Sequence, residues 1–148
     1  EVQQGVLYFA ARKAAARELK NVRLLVFDAA HLTELFAPRE VDRIYLNFSD
    51  PWPKARHAKR RLTSEQFLAR YAAVLHEDGE IHFKTDNMGL FDYSLETMAR
   101  EGWQLSRVTH DLHALAEPDN IMTEYERKFS ARGAKIGRLV ARRSSEQG

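Results

Sequence analysis

The sequence predicts an α/β fold built on a mainly parallel sheet. Two observations point there. Apolar segments rich in β-branched and aromatic residues, at residues 22–27, 41–48 and 80–85, alternate with segments of helical periodicity. Each of those segments also ends on an acid or a turn residue: Asp28, then Ser49-Asp50, then Asp86-Asn87. In open α/β sheets the carboxyl ends of the strands are where ligands bind.

The elements follow in order. Residues 4–19 are Ala-rich with Lys and Arg at the polar positions, a good helix former, and Val6, Leu7, Ala10, Ala14 and Leu19 make the expected buried stripe. Residues 22–27 read as a strand, 32–36 as a short helix closed by Pro38, and 41–48 as a second, buried strand. Thr63-x-x-Gln66 has the form of a capping box and opens a helix to about His76, with Phe67, Leu68, Tyr71 and Leu75 on one face. Glu77-Asp78-Gly79 reads as a turn and residues 80–85 as a strand. Residues 88–101 form a helix that turns Phe91, Leu95, Met98 and Ala99 inward, with Gly102 as its C-cap. A strand at 103–108, a loop at 112–120, a short helix at 123–131 opened by Thr123 and a strand at 136–141 complete the chain. The last two strands are joined by a segment poor in helix, which fits an antiparallel end to the sheet. One domain over residues 1–143 and a tail at 144–148 are expected.

Composition narrows the class further. A chain of 148 residues can bury one real core, and 44% hydrophobic with 30% charged residues is ordinary for a globular protein. No apolar stretch approaches membrane-spanning length, and the start of the sequence has no signal-peptide pattern. Cysteine is absent, which excludes disulfides and thiolate metal sites and suits a cytoplasmic setting. His57, His110 and His113 lack ligand spacing, so no metal is expected. A net charge of +2 does not announce a nucleic-acid binder, but its distribution does: five of the eight residues from Lys54 to Arg61 are Lys or Arg. A second basic cluster, Lys135, Arg138, Arg142 and Arg143, reads mostly as solvated surface.

The chemistry concentrates between Ile44 and Leu62. The strand stops at Ser49-Asp50-Pro51-Trp52-Pro53, where two prolines cannot continue a ladder. One segment thus places a carboxylate, an aromatic plate and a block of cations at a strand's carboxyl end. An acid beside an aromatic can grip a flat ring with polar edges, and neighbouring Lys and Arg can hold the phosphates attached to it.

Asn47-Phe48-Ser49-Asp50-Pro51-Trp52-Pro53-Lys54, followed by Arg56-His57 and Lys59-Arg60-Arg61, resembles the signature of bacterial tRNA (guanine-N7-)-methyltransferases. Phe83-Lys84-Thr85-Asp86-Asn87, Asp111-Leu112-His113 and Met122-Thr123-Glu124-Tyr125-Glu126 match in the same order, over about Glu1 to Val140. The resemblance implies a Rossmann-like class I methyltransferase fold whose sheet ends in one reversed strand. It implies S-adenosyl-L-methionine as cofactor and tRNA as partner, with the methyl going to N7 of a guanosine in the variable loop, position 46. A homodimer stays open. Asp50 is implied as catalytic and cofactor-adjacent, and Glu1 and Asp28 as cofactor-binding acids. Lys54, Asp86, Thr123, Glu124, Tyr125 and Glu126 are implied as substrate-binding. Arg56, His57, Lys59, Arg60 and Arg61 are assigned to tRNA phosphates, and Trp52 either stacks on a base or buttresses its loop.

That fold also needs a Gly-rich turn after its first strand, and none of the seven glycines forms G-x-G there. In the resembled family the turn lies upstream of an acid at the position of Glu1. The expectation is therefore that this domain lacks its N-terminal strand-turn-helix here and that more chain precedes Glu1. In a doubly wound sheet strands one and two lie between strands three and four, so residues 22–27 would lack a ladder partner. The alternative is an RNA-binding, methyltransferase-like protein that does not catalyse.

Overall fold

The computed structural model describes residues 1–144, so the tail expected beyond lies outside the described residues except for Ser144. Its frame is a four-stranded mixed sheet: β1 (Val41–Asn47), β2 (Leu75–Thr85), β3 (Trp103–Thr109) and β4 (Gly137–Arg143), in the spatial order β1-β2-β4-β3. β1 and β2 pair in parallel, whereas β4 is antiparallel to both β2 and β3. Three strands therefore point one way and the last one is reversed. The sheet is an α/β sheet with the expected antiparallel end, though with only one parallel pair it is mixed rather than mainly parallel.

Helices α3 (Glu65–Val74) and α4 (Met88–Arg100) cover one face. Phe67, Leu68 and Tyr71 of α3 and Leu90, Phe91 and Met98 of α4 pack on Ile81, Phe83, Leu139 and Ala141 of the sheet. Removing that much apolar surface from water is the main favourable term in folding. Phe83 and Phe91 stack with ring centres 6.3 Å apart. β4 crosses so close to this pair that a Cβ on Gly137 would sit 2.7 Å from the Phe91 ring. Along α4 the inward positions include Ser94 and Thr97, while Ala99 is exposed. The periodicity of four apolar residues pointed to a slightly rotated face. Ser94 is satisfied by the Leu90 carbonyl at 2.7 Å and by the Thr63 hydroxyl at 2.6 Å. That second bond takes Thr63 away from the capping box. Ser64 is the N-cap of α3, and its own hydroxyl donates to the Lys59 carbonyl at 3.1 Å.

The opposite face of the sheet is polar, as the two-residue period of a strand dictates. Tyr45 is 59% exposed, so β1 is buried on one face only, not on both as its apolar run suggested. Arg138 faces this side and is nevertheless buried, because the Glu117 carboxylate takes both ends of its guanidinium at 2.6 and 2.9 Å. The second basic cluster is thus not simply solvated surface. The expected Glu77–Gly79 turn lies inside β2, where pairing with β1 jumps from Leu75 to Glu80.

One N-terminal expectation is corrected and another is met. Helix α1 (Gln4–Ala16) forms, but no residue on it is buried: Val6 is exposed and only Leu7 and Ala14 of the expected stripe are half-buried. Residues 22–27 form no strand and belong to no ladder, as expected for a segment without a ladder partner. Without a neighbouring strand their backbone groups must find water or other partners. One of them, the Phe27 amide, donates to the Glu1 carbonyl at 2.9 Å. Among the described residues no helix is long and apolar enough to cross a membrane.

Candidate active site

The carboxyl ends of β1 and β2 lie side by side, as parallel pairing requires. The Phe48 amide extends the ladder past β1 by donating to the Lys84 carbonyl at 2.9 Å. Beyond it the chain turns through Ser49 and Asp50 into a cavity of about 770 Å³. Glu1, Asp28 and Asp50 all line it, with Trp52, Lys59 and Arg60. Three acids from separate segments thus share one opening with two cations of the basic loop. Asp28 also accepts the Ala30 amide at 2.8 Å, an N-cap bond to the short turn Ala29–His31 that fixes this acid at the rim. Asp50 is exposed. The Ser49 hydroxyl beside it is buried with no hydrogen-bond partner among the described residues.

The basic run forms a two-turn 3₁₀ helix, Ala55–Arg60, folded back on Trp52. Arg60 stands 5.0 Å over the indole and the His57 ring meets it edge-on at 5.6 Å. The half-buried Trp52 packs on its own loop and also lines the cavity, which suits either reading of it. Lys54, Arg56, Lys59 and Arg60 are exposed, whereas His57 and Arg61 are half-buried. Arg61 turns inward and spends its guanidinium on backbone carbonyls of Pro51 and Trp52, at 2.9 to 3.1 Å. That geometry is not one of a side chain held out for phosphate.

The third group assembles next door. Helix α5 (Glu124–Ser130) starts where Thr123 accepts the Glu126 amide at 3.0 Å, the expected cap. Tyr125 packs between Phe48 at 4.7 Å and Phe129 at 4.1 Å, and its hydroxyl donates to Asp86 at 3.2 Å. Burial, then the Asp86 charge, pushes the Tyr125 phenol above its ordinary value. Asp86 and Tyr125 are therefore brought to the Phe48 side of the cavity. Glu124 points elsewhere and pairs with Lys13 of α1.

Glu126 does not reach the cavity at all. Its side chain is 0% exposed, and its carboxylate accepts from Lys84 at 2.9 Å, His113 at 2.8 Å and Asn120 at 3.0 Å. Burial pushes this carboxyl up, but the His113, Lys84 and Asn120 hydrogen bonds outweigh it and hold it below its ordinary value. Glu126, expected to bind substrate, is thus engaged with its own chain in this structure. Lys84 also donates to the Asn120 side chain at 2.7 Å and the Ile121 carbonyl at 2.9 Å. Sequence reasoning passed over Lys84 and gave His113 no role. The signal for both was their place inside matched stretches, on strand β2 and in the turn Leu112–Leu115.

Comparison with known proteins bears on this geometry. Residues 1–139 match the family model described as "Putative methyltransferase". The tRNA (guanine-N(7)-)-methyltransferase of Macrococcus caseolyticus is 55% identical over 142 residues, 96% of this chain and 68% of the relative. That of Lachnoclostridium phytofermentans is 56% identical over 147 residues, 99% of this chain and 69% of the relative. The chain thus spans about two thirds of the length of the curated relatives it matches. Among solved structures, an rRNA methylase from Streptococcus thermophilus superposes with a TM-score of 0.59 at 12% identity, covering 97% of this chain and 70% of its own. A SAM-dependent methyltransferase from Aquifex aeolicus gives 0.59 at 13% identity, covering 95% and 65%. At such identities the likeness concerns the fold, and the fold is that of S-adenosylmethionine-dependent methyltransferases. Within that class, the chain belongs to the tRNA (guanine-N(7)-)-methyltransferase family.

Proposed function

We propose that this chain carries out methyl transfer from S-adenosyl-L-methionine to N7 of a guanosine in tRNA, at position 46 of the variable loop. The observation that carries the reading is the position of Asp50. It is an exposed acid just past the carboxyl end of β1, in one cavity with Glu1, Asp28 and two cations of the basic loop.

The residues present fit the cofactor. Carboxylates at the Glu1 and Asp28 positions suit ribose hydroxyls and the adenine side of a nucleoside, and the unpartnered Ser49 hydroxyl is a free donor beside them. When bound, S-adenosyl-L-methionine supplies a methyl on a sulfonium, an excellent leaving group. Guanine N7 carries an in-plane lone pair and no proton at neutral pH, so the transfer asks for no general base. What the chain contributes is alignment, which can be worth roughly 7–11 kcal/mol, and charge. Asp50 accepts from the N1–H and N2–H₂ edge of guanine and favours the ring that turns cationic as N7 is alkylated. Asp86, steadied by Tyr125, and Lys54 hold the base and its nucleotide, while Arg56, Lys59 and Arg60 meet phosphates. The target base leaves its stack before the reaction.

The test is methyl transfer to unmodified tRNA, with loss of methylation at N7 in Asp50→Ala as the expected result. Full activity in Asp50→Ala would rule out its assigned role. Binding of tRNA by an active-fold chain that transfers no methyl would favour the non-catalytic RNA-binding alternative.

A further inference from the structure

Asp50 is flanked by two residues in an unusual backbone conformation. Phe48 has φ +55° and Trp52 has φ +43°, the left-handed region that bulky L residues avoid. Such residues persist only where their surroundings over-determine them. On the Phe48 side the restraint is visible: its amide is fixed to the β2 ladder and its ring to Tyr125. On the Trp52 side the restraint is Arg61. Its Nε donates to the Pro51 and Trp52 carbonyls, both at 3.1 Å, and its Nη2 donates again to the Trp52 carbonyl at 2.9 Å. The guanidinium itself stands over the Tyr93 ring on α4, 4.4 Å from the ring centre. Its neighbour Arg60 stays exposed and covers the outer part of the loop at the Trp52 indole.

We propose that Arg61 is a positioning residue that holds the Asp50–Trp52 turn in its strained form, and not one of the tRNA phosphate contacts. The chemistry of the side chain separates the two roles. A phosphate accepts a lysine ammonium nearly as well as a guanidinium when it meets it as a point charge. Two adjacent carbonyls taken by one guanidinium that also stands over a phenol ring require the rigid fork of arginine. Arg61→Lys therefore keeps the charge and removes the clamp.

The inference rests on the methyl-transfer reading, and the experiment keeps the two apart. In the full chain, Arg61→Lys is expected to lower kcat at saturating tRNA by tenfold or more, with the salt dependence of tRNA binding unchanged. Arg56→Gln is the contrast and should reduce the log–log salt slope by about 0.7–0.9, the loss of one phosphate contact. Tyr93→Leu removes the stacking partner without touching charge. It should lower kcat in the same direction, and it carries the test if Arg61→Lys does not fold. Emission from Trp52, read in a Trp103→Phe background, should shift in both variants, whether or not the chain turns over. A wild-type kcat in either variant, a salt slope reduced by Arg61→Lys, or an unshifted Trp52 emission overturns the proposal. Absence of turnover in the wild type, with the emission shift present, overturns the functional reading instead.

Discussion

Lys84, near the end of β2, reaches the fully buried carboxylate of Glu126 on α5 at 2.9 Å. The bond ties the helix that presents Tyr125 to the strand that leads into Asp86. His113 closes the other carboxylate oxygen at 2.8 Å. Three segments far apart in sequence are thus joined through one acid.

Removing that acid leaves the Lys84 ammonium, on a side chain only 14% exposed, without its counter-charge. Glu126→Ala should therefore cost about 3–5 kcal/mol, read as a lower midpoint in denaturant unfolding. Because the Glu126 carboxyl is depressed in the folded state, its stabilisation is present above the ordinary carboxylate value and is lost as pH falls below it. The difference between wild type and variant should accordingly shrink on acidification.

Glu117 gives a second acid-side effect with a defined window. The Arg138 hydrogen bonds, with the Arg107 guanidinium, hold its carboxyl at about 2 against an ordinary 4.5. A depressed acid contributes stability above its unfolded value and loses it as pH falls through the folded one. Melting temperature should fall between pH 4.5 and about 2 in the wild type and more shallowly in Glu117→Gln.

The exposed cations predict how binding responds to salt. Lys54, Arg56, Lys59 and Arg60 are free to meet phosphate, and about four contacts give a log–log slope of about −3 for tRNA affinity. Filter binding across a salt series checks it. A slope near −1 would remove the loop from the interface.

Gly137 tests the core. A methyl there collides with the Phe91 ring, whose stacking on Phe83 leaves it little room to move. Gly137→Ala should cost about 1–3 kcal/mol in thermal or denaturant unfolding, as overpacking does.

Much of this was legible in the residues. The run from Ile44 to Phe48, the prolines behind it and the cations beyond announced a strand end with a charged loop, and the Thr123 cap and the inward positions Phe67, Leu68, Tyr71 and Phe91 followed from spacing. What escaped were side-chain choices that depend on a partner from elsewhere in the chain. Thr63 had the right spacing for a capping box, but a hydroxyl bonds whichever group lies nearest, and that is Ser94 from α4. Residues 22–27 have the composition of a strand, and that they would stay unpaired was legible from the doubly wound order, since a strand exists only with a neighbour to pair with.

By itself the sequence determined the fold class, the family and the stretch where the chemistry lies, because periodicity, turn residues and motif spacing are local properties of the chain. Which charges face outward was settled by tertiary structure alone. Arg60 and Arg61 are neighbours of the same type, and Tyr125 and Glu126 are neighbours in one motif. Each pair divides because adjacent side chains on a turn or helix point in different directions, and only the packed neighbours decide which direction is inside.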